Sequence, residues 1–297
     1  MMSVRELRGA AWGLAAAALT AGWWVITRQG VTTAFDQYDV AALRFAVSGL
    51  LLTPVLWRHR RAIAAVPPML LVVMVLCAGA PYSLITGTGL RFASAGHGGT
   101  LVSGVFPLCA ALLSAVVLKE AVGPSRCLGL GVVVAGVVGL GGGAAASAAM
   151  SPLFLMASLM WAGFTVALHR SGLTPLAAVA CVCVASCAVY VPAYLLLSND
   201  PLALTAPLAE SLPHALYQGL LSAIVAVYCF ARAVMLLGAA RAAVFGALVP
   251  VLASLMGAAL LAEAPTPTEA LSIATVAIGA TLASGAVRLP VRLTAAP

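Results

Sequence analysis

Charge is scarce in this chain. Only 8% of its 297 residues are charged, against 63% hydrophobic, and the mean hydropathy is +1.11. A water-soluble domain carries about a quarter charged residues, so lipid is the solvent this composition fits. Acids are scarcest, with eight Asp and Glu in all, and none falls at the centre of an apolar run. A carboxylate at mid-membrane normally marks ion or proton coupling, so its absence argues against proton-driven efflux of cations. No run holds a Ser/His/Asp set or a carboxylate pair, which argues against an embedded protease or transferase; the chain is not read as an enzyme. Arg44 is the one cation placed deep within a run, so phosphorylated substrates, which need several buried cations, are disfavoured. The seven cysteines form no CxxC pair, and Cys181, Cys183 and Cys187 share one apolar run as small hydrophobes. No metal or cofactor is expected. Strand-period alternation is missing as well, which argues against a barrel.

What is present is long apolar sequence. Backbone polar groups in lipid need internal partners, so such runs are helices. Ten runs of about 20 residues fall near 8–28, 37–57, 67–90, 96–118, 124–143, 151–169, 175–197, 212–235, 241–262 and 268–287. The first is read as a retained span, because Trp23-Trp24 and Arg28 do not suit a cleavage site. The Gly-Ala stretch 141–149 is read as a flexible linker. With the N-terminus inside, twelve of the Lys and Arg residues fall on the inner side and only Arg28 and Arg91 on the outer. That bias places both termini in the cytoplasm. It also accounts for the net charge of +7 without nucleic acid as a partner.

The chain contains a repeat. A shift of 143 aligns Pro107 with Pro250, Leu118 with Leu261 and Glu120 with Glu263, and Ala21-Gly22-Trp23 has a counterpart in Ala162-Gly163-Phe164. Five spans per half make the second copy enter from the opposite side. The expected fold is an all-α membrane protein of ten transmembrane helices in two inverted five-helix repeats, residues 1–146 and 147–297. Inverted repeats are typical of secondary transporters, with the site between the halves.

Three pieces of sequence carry a resemblance: Leu43-Arg44-Phe45; Gly89 through Pro107 to Glu120 with Gly131, Gly136 and Gly139; and Arg232-Ala233 with Gly238-Ala239-Ala240-Arg241-Ala242, Pro250 and Glu263. Together they resemble the EamA-type branch of the drug/metabolite transporter superfamily over nearly the whole chain. The resemblance implies a ten-helix inner-membrane transporter, closest in look to bacterial aromatic amino acid exporters (YddG-like).

Several runs carry aromatic and small polar residues on one face, which suits a solvated cavity better than lipid. The candidate substrate-binding residues are Trp23 and Trp24 in the first span, Tyr82 and Thr86 in the third, and His97 and Thr100 in the fourth. Trp161 and Thr165 in the sixth and Gln218 and Tyr228 in the eighth complete the set. Trp and Tyr also gather at membrane interfaces, and hydroxyls in helices often satisfy their own backbone. Pro81, Pro107 and Pro250 are expected to break their helices and serve as hinges. Arg44 is expected to pair with Asp36, Asp39 or a carbonyl. The glycines of spans five and ten are assigned to close helix packing, at the periphery. The expected function is export of amino acids and related neutral metabolites, aromatic or large apolar ones favoured, by a protein acting as a monomer among lipid. The alternatives are another solute (a cationic drug, a purine or a sugar derivative) or a membrane scaffold or sensor.

Overall fold

The fold was examined in a computed structural model, which describes residues 3–113, 115–116, 123–140 and 145–284. Every described element is helical. The chain runs α1 Val4–Thr32, α2 Gln37–Ala64, α3 Pro68–Ala78, α4 Ala80–Leu90 and α5 Ala95–Gly99. A π-helical segment Thr100–Gly104 leads into α6 Phe106–Leu113, followed by α7 Pro124–Leu140, α8 Ala145–Ser171, α9 Pro175–Leu197, α10 Leu202–Thr205 and α11 Leu208–Leu216. A second π-helical segment, Tyr217–Val225, precedes α12 Ala226–Leu237, α13 Ala239–Ala247, α14 Val249–Leu261 and α15 Pro267–Ala283. Among the described residues, eight continuous helical stretches are long and apolar enough to cross a membrane, and the shorter apolar helices Arg126–Leu140 and Pro267–Ala283 occupy the places expected for the fifth and tenth spans. Of the linker expected at 141–149, residues 145–149 are helical because α8 begins at Ala145, and residues 141–144 lie outside the described residues. Lys119, Glu120, Arg288 and Arg292 lie outside the described residues.

Local chemistry sets the helix ends. Ser3 with Glu6, Asp36 with Asp39, and Thr266 with Glu269 each form a reciprocal capping box, which satisfies amide donors that a helix start leaves free. Asp36 accepts from the amides of Tyr38 at 2.7 Å and Asp39 at 2.9 Å. Asp39 also accepts from the Tyr194 hydroxyl. Both acids are thereby engaged at the start of α2, and neither pairs with Arg44; that expectation is corrected below.

The three prolines expected to break helices stand at helix starts, whereas Pro54, Pro152, Pro192 and Pro213 lie inside helices. A proline lacks the amide proton and clashes with the carbonyl four residues back, yet it fits the first turn of a new helix. Pro81 opens α4 after Gly79, Pro107 opens α6 after the first π-helical segment, and Pro250 opens α14. At the first break the Ser186 hydroxyl accepts from the freed Ala80 amide at 3.3 Å.

The two halves pack with matching partners. Helix α1 lies along α12 and α14, and its counterpart α8 lies along α3, α4 and α6. The pairs α2–α9 and α7–α15 join the halves directly. The α7–α15 seam depends on missing side chains. A Cβ on Gly136 would meet Val276 Cγ2 at 2.6 Å and the Val276 nitrogen at 2.9 Å. A Cβ on Gly279 would meet the Val133 nitrogen at 2.6 Å. The fifth and tenth helices are thus held by backbone-to-backbone approach, as small residues allow between membrane helices.

Candidate functional site

The polar centre of the bundle forms around Arg44. That residue lies seven positions into α2, roughly 10 Å from the helix start at 1.5 Å per residue. Its Nη1 donates to Ser222 Oγ at 3.0 Å and to Gln218 Oε1 at 3.4 Å. Gln218, fully buried, passes the network on: its Nε2 donates to Thr27 Oγ1 of α1 at 2.8 Å. Gln218 and Ser222 belong to the second π-helical segment, a local geometry that recurs at functional sites. The guanidinium carbon stands 5.4 Å from the ring centre of Trp23. Asp36 and Asp39 are absent from this network, so Arg44 sits among neutral hydrogen-bonding groups and an aromatic face. Three buried polar atoms here have no hydrogen-bond partner among the described residues: Arg44 Nε, Trp23 Nε1 and Ser83 Oγ. All three residues, with Thr27, Gln37 and Gln218, line one void of about 10 Å³. That volume holds at most one water, so this conformation is closed at its centre.

A run of rings extends from the cluster across both halves. Trp24 meets Trp23 edge-on at 4.7 Å, Trp23 stacks on Tyr82 at 6.1 Å, and Tyr82 meets Trp161 at 5.4 Å. Beyond it, Trp161 meets Phe164 at 5.3 Å, and Trp24 touches Phe154 at 6.3 Å. Trp161 keeps 37% of its surface exposed, whereas Trp23, Trp24 and Tyr82 are buried. Four of the aromatic candidates read from sequence therefore form one contiguous wall.

Other candidates stand elsewhere. Thr86 donates to its own helix at Tyr82 O, Thr100 to Gly96 O and Thr165 to Trp161 O, at 2.9, 2.6 and 2.9 Å. These hydroxyls satisfy backbone carbonyls in the turn before them. Tyr228 is half exposed and packs edge-on against Trp12 at 5.8 Å, away from the central void. His97 lines a separate cavity of about 200 Å³ with Ser94, Ser254, Glu263 and Glu269, and its Nε2 lies 3.4 Å from Ser151 Oγ.

That second cavity adjoins a polar lock at one end of the bundle. Arg28 Nε donates to Glu263 Oε1 at 2.6 Å, and Arg28 Nη1 donates to Leu90 O at 2.6 Å. Glu263 Oε2 accepts from the Ala95 amide at 3.1 Å. One ion pair thus ties the end of α1 to the end of α4, the start of α5 and the second residue beyond α14. The opposite end carries the exposed pair Glu6–Arg241 at 3.0 Å. Among the described residues, no three His, Cys, Asp or Glu side chains gather as a metal site.

Arg44, Thr27, Ser83 and the Arg28–Glu263 pair were missing from the site expected from sequence. One signal for Arg44 was available. Asp36 and Asp39 have capping-box spacing at a helix start, which commits them and leaves the arginine without an acid nearby.

A solved structure described only as a crystal structure of a protein matches with a TM-score of 0.63 and 21% identity, covering 95% of this chain and 98% of the other. That likeness concerns the fold alone. No curated protein matches. The sequence profile of the EamA-like transporter family matches twice, over residues 7–142 and 149–285. Those two matches cover most of the helical bundle just described, and the chain belongs to the EamA-like transporter family.

Proposed function

We propose that this membrane transporter is an inner-membrane exporter of amino acids and related neutral metabolites, aromatic or large apolar ones favoured, of the kind typified by aromatic amino acid exporters. It works by alternating access between two halves, residues 1–146 and 147–297. The observation that carries the reading is the ring wall Trp24–Trp23–Tyr82–Trp161 beside hydrogen-bonding side chains. Aromatic faces stack on an apolar or aromatic side chain. The neighbouring amide and hydroxyl groups meet the polar backbone of an amino acid. A cationic drug fits this centre poorly, because Arg44 would repel it.

Both termini are cytoplasmic in this reading, so the Arg28–Glu263 lock closes the outer end. Pro81, Pro107 and Pro250 act as hinges when the halves rock. The direct test is counterflow in proteoliposomes loaded with unlabelled tryptophan. Transient accumulation of labelled tryptophan above equilibrium, absent from protein-free liposomes, is the expected result. Flat uptake of tryptophan, phenylalanine and leucine alike, by protein that still elutes as a single folded species, refutes it.

A further inference from the structure

We propose that Arg44 is the seat of a substrate carboxylate, so that the central cavity selects small monocarboxylates with an aromatic or apolar tail and does not require an amino group. The inference rests on the reading that this cavity holds substrate, and it fixes which end of the molecule is recognised.

The central cluster has donors to spare. Arg44 Nε and Trp23 Nε1 only donate, and both are buried at one void without a partner among the described residues. Ser83 Oγ beside them is also unpartnered. Buried polar groups are nearly always hydrogen-bonded, and a charge within a membrane is costly and marks function by default. The neighbours that Arg44 does have are Ser222 and Gln218, which are neutral. A buried cation among neutral partners suits an acceptor that carries negative charge. Two oxygens on one carbon match the planar guanidinium fork.

The charge count narrows the ligand further. Arg44 is the one cation among the lining residues Trp23, Thr27, Gln37, Val40, Ala41, Arg44, Ser83, Gly87 and Gln218. One positive charge balances a monoanion, and a phosphate dianion would remain undercompensated. The same wall contains no carboxylate, so a substrate ammonium finds only amide and hydroxyl oxygens. The tail direction is set by Trp23, which lies beside both the guanidinium and the Tyr82 ring. Because the void holds about 10 Å³, the ligand enters when the halves separate around these rings.

The test compares analogues on purified, detergent-solubilised protein and in counterflow. The ligands are tryptophan, indole-3-propionate, tryptamine, hexanoate, hexylamine and phenyl phosphate. Each is scored by thermal stabilisation and by competition with labelled tryptophan. Indole-3-propionate should compete within about threefold of tryptophan, and tryptamine at least tenfold more weakly, the scale of a hydrogen bond to a charged group. Arg44→Gln should collapse that gap to about threefold or less, and Arg44→Lys should restore part of it. Trp23→Phe removes one unpaired donor and leaves a smaller aromatic ring in its place. It should narrow the gap in protein that still elutes as a single folded species, which keeps the test valid if Arg44→Gln folds poorly.

Tryptamine matching indole-3-propionate in the wild type overturns the role of Arg44 and leaves the aromatic transporter reading standing. Hexanoate stabilising the protein through Arg44 while no indole compound does so supports the carboxylate seat and overturns the aromatic reading. Phenyl phosphate binding more tightly than the carboxylates overturns the monocarboxylate assignment.

Discussion

Replacing Gly136 by alanine should cost this protein about 2 kcal/mol of stability, the middle of the range for forcing extra atoms into a packed site. The new Cβ would lie 2.6 Å from Val276 Cγ2, 2.9 Å from the Val276 nitrogen and 3.0 Å from the Ser272 carbonyl oxygen. A side-chain methyl can rotate away, but two of these three atoms are backbone of α15. The α7–α15 seam must therefore open along its length, and Gly129 and Gly279, which approach the facing backbone in the same seam, lose contact too. Gly131 provides an internal control on the same helix, since a Cβ there meets nothing within 4 Å. Gly131→Ala should be neutral or gain up to ~1 kcal/mol through helix propensity. The assay is the melting temperature and monodisperse yield of both variants in detergent, followed by the ratio of tryptophan to alanine counterflow. Gly136→Ala should melt earlier with the ratio unchanged. Equal melting of the two variants, or a changed substrate ratio in Gly136→Ala, would refute the assignment of this seam to packing.

The lock at the Glu263 end gives a second expectation. Glu263→Gln keeps the shape but loses the charge on two hydrogen bonds. With both partners partly solvated the loss is about 1.5 kcal/mol, or roughly tenfold in opening. A cysteine at Ser83, in a background without native cysteines, should then react about tenfold faster with an impermeant maleimide added from that side; an unchanged rate rejects the lock. For topology, cysteines at Arg60 and Asp200 should label from opposite faces of the cell membrane, and labelling of both from outside would reverse the orientation. For energetics, no carboxylate lines the central void, so counterflow should persist when an uncoupler collapses the proton gradient. A strict pH-gradient requirement, removed by Glu263→Gln, would give that residue a coupling role.

The helical segments were legible because the membrane imposes length and apolarity residue by residue. The breaks at Gly79, the Pro107 turn and Pro250 were legible because proline chemistry is local. The wall Trp23–Tyr82–Trp161 emerged from the habit of placing rings and hydroxyls on one face. What stayed hidden is non-local. Arg44 meets Gln218 and Ser222 across 174 and 178 positions, and Arg28 meets Glu263 across 235. Neither pairing leaves a periodic trace. Tyr228 had the right spacing and the wrong azimuth: its ring packs outward on Trp12. Threonine hydroxyls were ambiguous for a related reason, since Thr86, Thr100 and Thr165 all turn back to their own helices. The shared geometry of Asp36 and Asp39 at a helix start was readable, and its consequence for Arg44 follows only when the capping box is taken as complete.

Equilibrium binding of labelled substrates to purified wild-type, Tyr82→Ala and Trp161→Ala protein tests the central claim most directly. Each substitution removes one ring from the wall, a contact worth about 1 kcal/mol, or roughly fivefold in affinity. Binding of tryptophan and phenylalanine should weaken by about that factor in both variants, while binding of alanine and threonine changes by less than about twofold. Equal weakening for all four ligands, at normal yield and melting temperature, would contradict the claim that these rings read the substrate side chain.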